Sequence, residues 1–342
     1  MALQIIWFVL WGVLWAVYFM LDGFVLGSGM LQNFLAKNDT ERRVIINTVG
    51  PVWDGNEVWL LTAGGATFAA FPSTYALMFS YLYTALLLLL FSLIVRGVSF
   101  EFRGKLDNAL WKAIWDKAIL ICSFLPALLF GVAFGNIFKG LPMDANGYHG
   151  SFLSLLNPYG LLTGLLFVVL FLSHGALYQS VKTTGQLQKR ATEAAKRLWI
   201  PLLIIAVLFL AATYPATHLF DNYLNTPTLF FVPAIAVTLL IAIRVFLAKD
   251  QLLKAFTASS LLVLSVVATG LVGLFPNLIP STLDAQYSLT LYNSSSSPYT
   301  LKIMTVVAFI FLPMVIAYKI WAYRIFRAPI TNKSVLEDEE AY

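Results

Sequence analysis

From Leu3 to Leu21 the chain carries no charged side chain, and apolar runs of this kind recur along most of its length. A helix needs about 20 mostly apolar residues to cross the hydrocarbon core of a bilayer. Lipid leaves the backbone no other way, short of a closed barrel, to satisfy its polar groups. Nine segments meet the requirement, at about 4–31, 52–71, 74–95, 114–138, 159–180, 198–219, 228–247, 252–275 and 301–326. Pro51, Phe71-Pro72-Ser73, Asn157-Pro158, Pro227, Pro276 and Pro280 punctuate the breaks between them. Composition agrees: 59% of the 342 residues are hydrophobic and 11% charged, where a soluble domain carries about a quarter charged residues. The expected fold is all-α and integral to the membrane, a single polytopic domain over 1–330 with an acidic tail at 331–342. The first run lacks a preceding basic region and a small-residue cleavage site, so it reads as a spanning helix rather than a secretory signal.

The basic residues test the count independently. If nine helices alternate, all but two of the 22 lysines and arginines fall on one side or at its helix ends, the exceptions being Lys139 and Lys302. The positive-inside rule then makes that side cytoplasmic, with the N-terminus outside and the C-terminus inside. The net charge of +5 is thus spent on topology, and a nucleic-acid partner is excluded. The loops at 139–158 and 276–300 are polar and rich in Gly, Asn and Ser. Cys122 is the only cysteine, which excludes an intrachain disulfide and a CxxC motif.

Against this apolar background a few charges stand out. Asp22 follows a long uncharged run, and an ionisable group inside a span costs roughly 3 kcal/mol on insertion scales. Such acids line ion or proton paths, or pair with a neighbouring helix for structure alone. Trp53-Asp54-Gly55-Asn56-Glu57 opens the second segment. Asp54 and Glu57 are three apart and share one side of a helix. Two carboxylates this close resist joint ionisation, which suits a site that takes up and releases protons. Acids in a first helical turn also simply favour the positive end of the macrodipole. Arg96 at the cytoplasmic end of the third segment is a counter-charge for these acids or a snorkelling anchor. Of the three histidines only His174 lies within a span, as a proton relay, a packing residue or a lone metal ligand. Trp111, Trp115, Trp199, Trp321 and Tyr323 sit at segment ends, where an aromatic belt is expected.

The same residues carry a resemblance. Asp22-Gly23-Phe24 with Gly27 and Gly29-Met30-Leu31, Asn38-Asp39-Thr40-Glu41-Arg42-Arg43, Trp53-Asp54-Gly55-Asn56-Glu57-Val58-Trp59-Leu60, Gly131-Val132-Ala133-Phe134-Gly135-Asn136, Leu156-Asn157-Pro158-Tyr159-Gly160 and Ser296-Ser297-Pro298-Tyr299-Thr300 resemble subunit II of cytochrome bd quinol oxidase over nearly the whole chain. The resemblance implies nine helices, as two four-helix bundles plus a peripheral helix, in a multi-pass protein of a bacterial or archaeal cytoplasmic membrane. It implies an oxidoreductase complex that oxidises quinol and reduces oxygen to water, generating proton-motive force. Two haems b, one haem d and the quinol site belong to the partner, subunit I, with single-helix accessory subunits and membrane lipid around the heterodimer. Subunit II stabilises that partner and contributes a cytoplasmic proton path. Asp22, Asp54 and Arg96 match positions on the path, with Glu57 and His174 as further candidates and Trp53 beside a cofactor. Some members hold a structural quinone here. The chain departs at Val25, where some members carry a second acid, and at Glu57, where some have Gln. The alternative from another class is a proton-coupled secondary transporter, which usually shows inverted repeats and broken helices.

Overall fold

The computed structural model describes residues 1–337, and they form an almost wholly helical molecule. The helices, in chain order, are α1 (Ala2–Leu35), α2 (Asp39–Val49), α3 (Trp53–Ala70), α4 (Pro72–Tyr81), α5 (Tyr83–Phe102), α6 (Ala109–Lys139), α7 (Pro158–Lys182), α8 (Gly185–Ala216), α9 (Leu219–Asn225), α10 (Phe231–Ala248), α11 (Leu252–Leu274), α12 (Pro298–Ile325) and α13 (Asn332–Glu337). The expected punctuation operates as caps. Asn38, Asn108, Asn157 and Ser297 each accept a backbone N–H of the helix they precede, and Pro72, Pro158 and Pro298 occupy first turns.

Among the described residues, eight helices are long and apolar enough to cross a bilayer: α1, α5, α6, α7, α8, α10 with its leading 3₁₀ turn, α11 and α12. The ninth expected segment, 52–71, does form a helix, α3, but it is not one of these eight. Asp54, Asn56 and Glu57 crowd its first turns, and Gly64-Gly65 add no apolar surface. The third expected segment, 74–95, is longer and bent. It divides at Leu82 into α4 and α5, while Leu82 and Leu86 keep their i→i−4 bonds, so the rod bends rather than breaks.

The packing centre is α1, which lies against α3, α6, α7 and α11. Its partner α7 is the most enclosed of the apolar helices, and α12 the least, with Leu301 as its one buried residue. Small residues set the closest crossings. A Cβ on Gly27 would stand 1.9 Å from the carbonyl oxygen of Phe171, and one on Gly175 2.4 Å from the carbonyl carbon of Gly27. Backbones therefore touch, the usual way apolar helices gain contact where lipid supplies no hydrophobic drive. Gly131 and Gly164 repeat the device between α6 and α7. Asn136 closes that crossing: its amide donates to the carbonyls of Val132 (2.8 Å) and Leu155 (2.7 Å), and its oxygen accepts from Asn157 (2.7 Å).

The two ends of the helix stack differ. At one end the segments 139–158 and 276–300 form two small hairpins, Met143–Asp144 with Gly147–Tyr148 and Asn277–Ile279 with Leu289–Thr290, bridged at Leu141 and Ser281. At the other, α2 lies beneath the spanning helices. Its first turn is tied down by Glu41, which accepts the Lys37 N–H at 2.6 Å and pairs with Arg190 at 2.5 Å. The tail expected from residue 331 starts with structure: α13 packs on α2 with Val335 buried, and the acidic residues 338–340 lie outside the described residues. Lys182 holds the approach to α13, donating to the carbonyls of Phe326 and Ala328.

Two outcomes follow from this packing. Gly27→Ala should cost about 1–3 kcal/mol by overpacking, read as a lower melting temperature in detergent. Gly104→Ala, with open space around it, should change nothing. Burial acts to raise the Glu41 carboxyl, but the Lys37 N–H and Arg190 outweigh it and hold it below its ordinary value of 4.5. A depressed carboxyl stabilises the fold above its unfolded value and loses that contribution as pH falls through its folded value. Glu41→Gln should therefore cost about 1 kcal/mol at neutral pH, and its melting temperature should converge with that of the parent as the pH falls through the depressed folded value of Glu41.

Candidate functional site

Three helices bring three of the expected residues together. Asp22 lies two thirds of the way along α1, Glu57 in the second turn of α3, and Arg96 near the end of α5. Nη2 of Arg96 donates to both oxygens of Asp22, at 3.2 and 3.1 Å, and to Oε1 of Glu57. The side chains of Arg96 and Asp22 are closed off from solvent, while Glu57 keeps 20% of its surface open. Arg96 is thus a counter-charge and not a snorkelling anchor. One guanidinium between two carboxylates leaves the cluster one positive charge short. A charge in a low-dielectric interior needs a partner, so a proton on one carboxylate balances the cluster.

Polar neighbours hold the cluster in place. Tyr18, one turn before Asp22, donates to Asp22 Oδ2 at 3.4 Å. Asn56 sits between the two expected acids in sequence and faces inward, donating to the Leu21 carbonyl at 2.9 Å and accepting from Tyr323 at 2.9 Å. Tyr323, expected in the aromatic belt, therefore reaches into the protein and ties α12 to α3. Sequence reasoning passed over Tyr18 and Asn56, although Asn56 stands inside the motif that drew attention.

The other expected residues lie elsewhere. Asp54 is exposed, its Oδ1 accepting the Gly55 N–H at 2.5 Å, so the carboxylate pair at this site is Asp22 with Glu57 rather than Asp54 with Glu57. Trp53 packs over Gly97 one residue beyond Arg96, with its ring 5.6 Å from that of Phe100. His174 is fully buried on α7, with Nδ1 against the Ser259 hydroxyl and Nε2 3.0 Å from the Met20 carbonyl. Its ring stacks on Phe256 at 5.1 Å. Both ring nitrogens are engaged, so His174 offers no free nitrogen to an iron. Among the described residues, no group of three or more His, Cys, Asp or Glu side chains could hold a metal ion.

A second buried ionic cluster lies one end nearer α2, and the sequence reading passed over it. Asp116 on α6 accepts from Arg103 Nε at 2.6 Å and from Gln32 at 2.7 Å, and Arg103 reaches Asp39 at 2.6 Å. Burial works to raise Asp39, but Arg103 and Lys112 outweigh it and hold its carboxyl below the usual range.

The molecule is thus an all-α, multi-pass membrane protein with a buried guanidinium–carboxylate site. The family model for "Cytochrome bd terminal oxidase subunit II" matches residues 3–326. The cytochrome bd-I ubiquinol oxidase subunit 2 of Escherichia coli K12 is 37% identical, the match covering 98% of this chain and 97% of that one. The cytochrome bd ubiquinol oxidase subunit 2 of Bacillus subtilis is also 37% identical, over 97% of this chain and 98% of that one. A chain of the solved bd oxidase from Geobacillus thermodenitrificans superimposes with a TM-score of 0.77 at 18% identity, covering 95% of this chain and 99% of that one. The chain belongs to the cytochrome bd terminal oxidase subunit II family, and so is a subunit of a respiratory oxidoreductase.

Removing one member of a buried ion pair strands the other. Arg96→Leu leaves two acids without a cation and should cost about 3–5 kcal/mol. Asp22→Asn keeps the Arg96–Glu57 pair and should cost less. Thermal unfolding of the purified complex ranks the two; equal melting temperatures would contradict the geometry.

Proposed function

We propose that this chain is the subunit of a quinol-oxidising terminal oxidase that ligates no haem, and that it feeds cytoplasmic protons to oxygen reduction in a haem-bearing subunit I. In this reading α3 crosses the bilayer as a ninth helix. It has about 27 Å of length at 1.5 Å per residue, close to the ~30 Å core. The N-terminus is outside, the C-terminus cytoplasmic, and the helices form two four-helix bundles with α12 peripheral, in a bacterial inner membrane. The two haems b, the haem d and the quinol site lie in subunit I. Electrons pass there from quinol to oxygen, and the protons consumed come through this chain.

One observation carries the reading. The cluster is sealed at Asp22 and Arg96 but open at Glu57, and it opens onto a side of α3 that suits protein better than lipid. Asp54, Val58, Leu61, Thr62, Gly65 and Phe68 are exposed along that side, one to two turns apart. It mixes a carboxylate, a hydroxyl and a bare glycine with large apolar groups. Lipid penalises the first two, and small residues beside large ones are what helices use to pack on helices. This side is the one we assign to subunit I. Glu57 then faces the partner, with Asp54 one turn closer to the cytoplasm.

Glu57 is the group that exchanges protons, and the Asp22–Arg96 pair sets its charge balance. An apolar pocket of about 130 Å³ between α7, α8, α10 and α11, lined in part by Phe167, Phe209 and Tyr223, is where a structural quinone would fit. The transporter alternative calls for an ionisable group on a helix interrupted at mid-membrane. Asp22 lies instead on a helix unbroken from Ala2 to Leu35.

Glu57→Gln and Asp54→Asn in the assembled complex should each slow oxygen consumption by about tenfold or more, within the range lost when a proton donor is removed. Haem content should stay at the parental level. Turnover unchanged in both variants, with proton uptake at the parental rate, would reject the role.

A further inference from the structure

Lys139 and Lys302 are the two bases that charge sorting leaves on the side otherwise free of them. Lys139 ends α6 at the hairpin end of the bundle, and among the described residues its ammonium has no hydrogen bond or ion pair. It lines an open hollow of about 410 Å³ together with Asn277, Thr282 and Asp284. The side chains of Asn277 and Thr282 likewise have no partner among the described residues. An ammonium, an amide and a hydroxyl thus bring unused donors to one hollow. Asp284 adds a carboxylate, which accepts only from Gln286, at 2.9 Å from its backbone N–H and 3.4 Å from its side chain.

Helices α6 and α11 end beside this hollow and α9 begins there, so it lies at the depth of lipid head groups. The apolar pocket between α7, α8, α10 and α11 adjoins it on the membrane side, and Phe138 and Leu219 line both. Four hydroxyls reach the apolar pocket, and each already donates within the protein. Thr163 donates to the Tyr159 carbonyl at 2.9 Å, Thr213 to Phe209 at 2.7 Å, Thr269 to Ser265 at 2.8 Å and Tyr223 to Thr269 at 2.7 Å. A hydroxyl has one proton to give, so no side-chain donor remains there for a ring carbonyl or a phosphate oxygen. A polar group left without a donor in such a place is costly. The pocket therefore suits a hydrocarbon chain, and the molecule that owns the chain keeps its polar head outside, where the hollow at Lys139 begins.

We propose that hollow and pocket together form one glycerophospholipid site. An acyl chain lies in the apolar pocket, the phosphate meets Lys139, and the amine of an ethanolamine head group meets Asp284. The proposal rests on the reading of that pocket as a ligand site and narrows its occupant from a quinone to a phospholipid. It does not depend on proton transfer at Glu57. Charge separates the two amphiphiles. A quinone ring is neutral and asks only for donors, whereas the hollow presents a cation and an anion within one cavity, which is the pattern that complements a zwitterion. Hydrogen bonds from an ammonium to a phosphate are also the stronger kind. A lysine on the side of the membrane that otherwise lacks bases thereby acquires a partner.

Native mass spectrometry of the intact, haem-loaded complex, loaded with phosphatidylethanolamine in mild detergent, tests this. Affinity for one lipid should fall about tenfold or more in Lys139→Met, the equivalent of one lost charged hydrogen bond, and should persist in Lys139→Arg. Ala206→Phe, which fills the apolar pocket from α8, should lower it as much with the ammonium still in place. Val237→Phe on α10 serves the same purpose if Ala206→Phe does not assemble. Melting temperatures separate the sources of the phosphate. Phosphatidylethanolamine should stabilise the delipidated complex, phosphatidylglycerol, which lacks the amine, should do so less, and inorganic phosphate not at all. The preference for the amine should vanish in Asp284→Asn. Equal lipid affinity in the parent, Lys139→Met and the pocket-filling variant would overturn the site, as would stabilisation by inorganic phosphate equal to that by lipid. A quinone retained in place of the lipid would overturn the phospholipid and leave the pocket a ligand site, whereas a complex that retains neither would sink both readings.

Discussion

A guanidinium with no access to solvent has to be answered by charge, and Arg96 is answered from two directions at once. Asp22 reaches it from α1 and Glu57 from α3. In water such a contact is worth little, because solvent competes for both ions. In the interior of a membrane protein the competing solvent is gone, and breaking the pair is costly. The three helices are consequently fixed to one another in both register and rotation. Asn56 reinforces the choice by holding α3 to the Leu21 carbonyl and, through Tyr323, to α12. What looks like a site on a scaffold is also part of what orders the scaffold.

Other polar groups in the interior do different work. The Asn136–Asn157 contact caps α7 and seals a glycine crossing, and Lys182 closes the C-terminal end of α12 against carbonyls. Each of these is satisfied within the protein. By contrast, Arg96, Gln32 and Ser123 retain unpaired donors or acceptors although none is exposed. Satisfied polar groups in a membrane interior are glue, and unsatisfied ones point to water or a ligand.

Much of this was legible in the sequence because charges are rare in it. Asp22, Glu57 and Arg96 stand out for their cost, and the expected alternation of nine helices already puts them in one half of the membrane. Rotation was not legible. Residues three apart on a helix are 300° apart in projection, or 60° the short way round. Asp54 and Glu57 therefore share a side loosely enough for one to face outward and the other to meet Arg96. Asp116 was hidden for another reason. Lys112 lies one turn before it and Lys117 directly after it, and three charges in two turns read as a solvated surface. Only tertiary packing against Arg103 and Gln32 shows that it turns inward. The bend at Leu82 had no signal at all, since neither proline nor glycine marks it.

The charge count gives the cluster its chemical character. With both carboxylates ionised it carries one net negative charge, and with one proton it is neutral. Asp22 is enclosed and shares its two oxygens with Arg96, so the proton exchange we propose falls to Glu57, the member with an opening. Taking that proton leaves the Asp22–Arg96 pair intact, so the helices need not move between the two states. A site that changes charge without changing structure can cycle at little cost in reorganisation. On the proposed reading the same arithmetic gives the extra acid its use: a matched pair would be neutral already, and would have no charge left to balance.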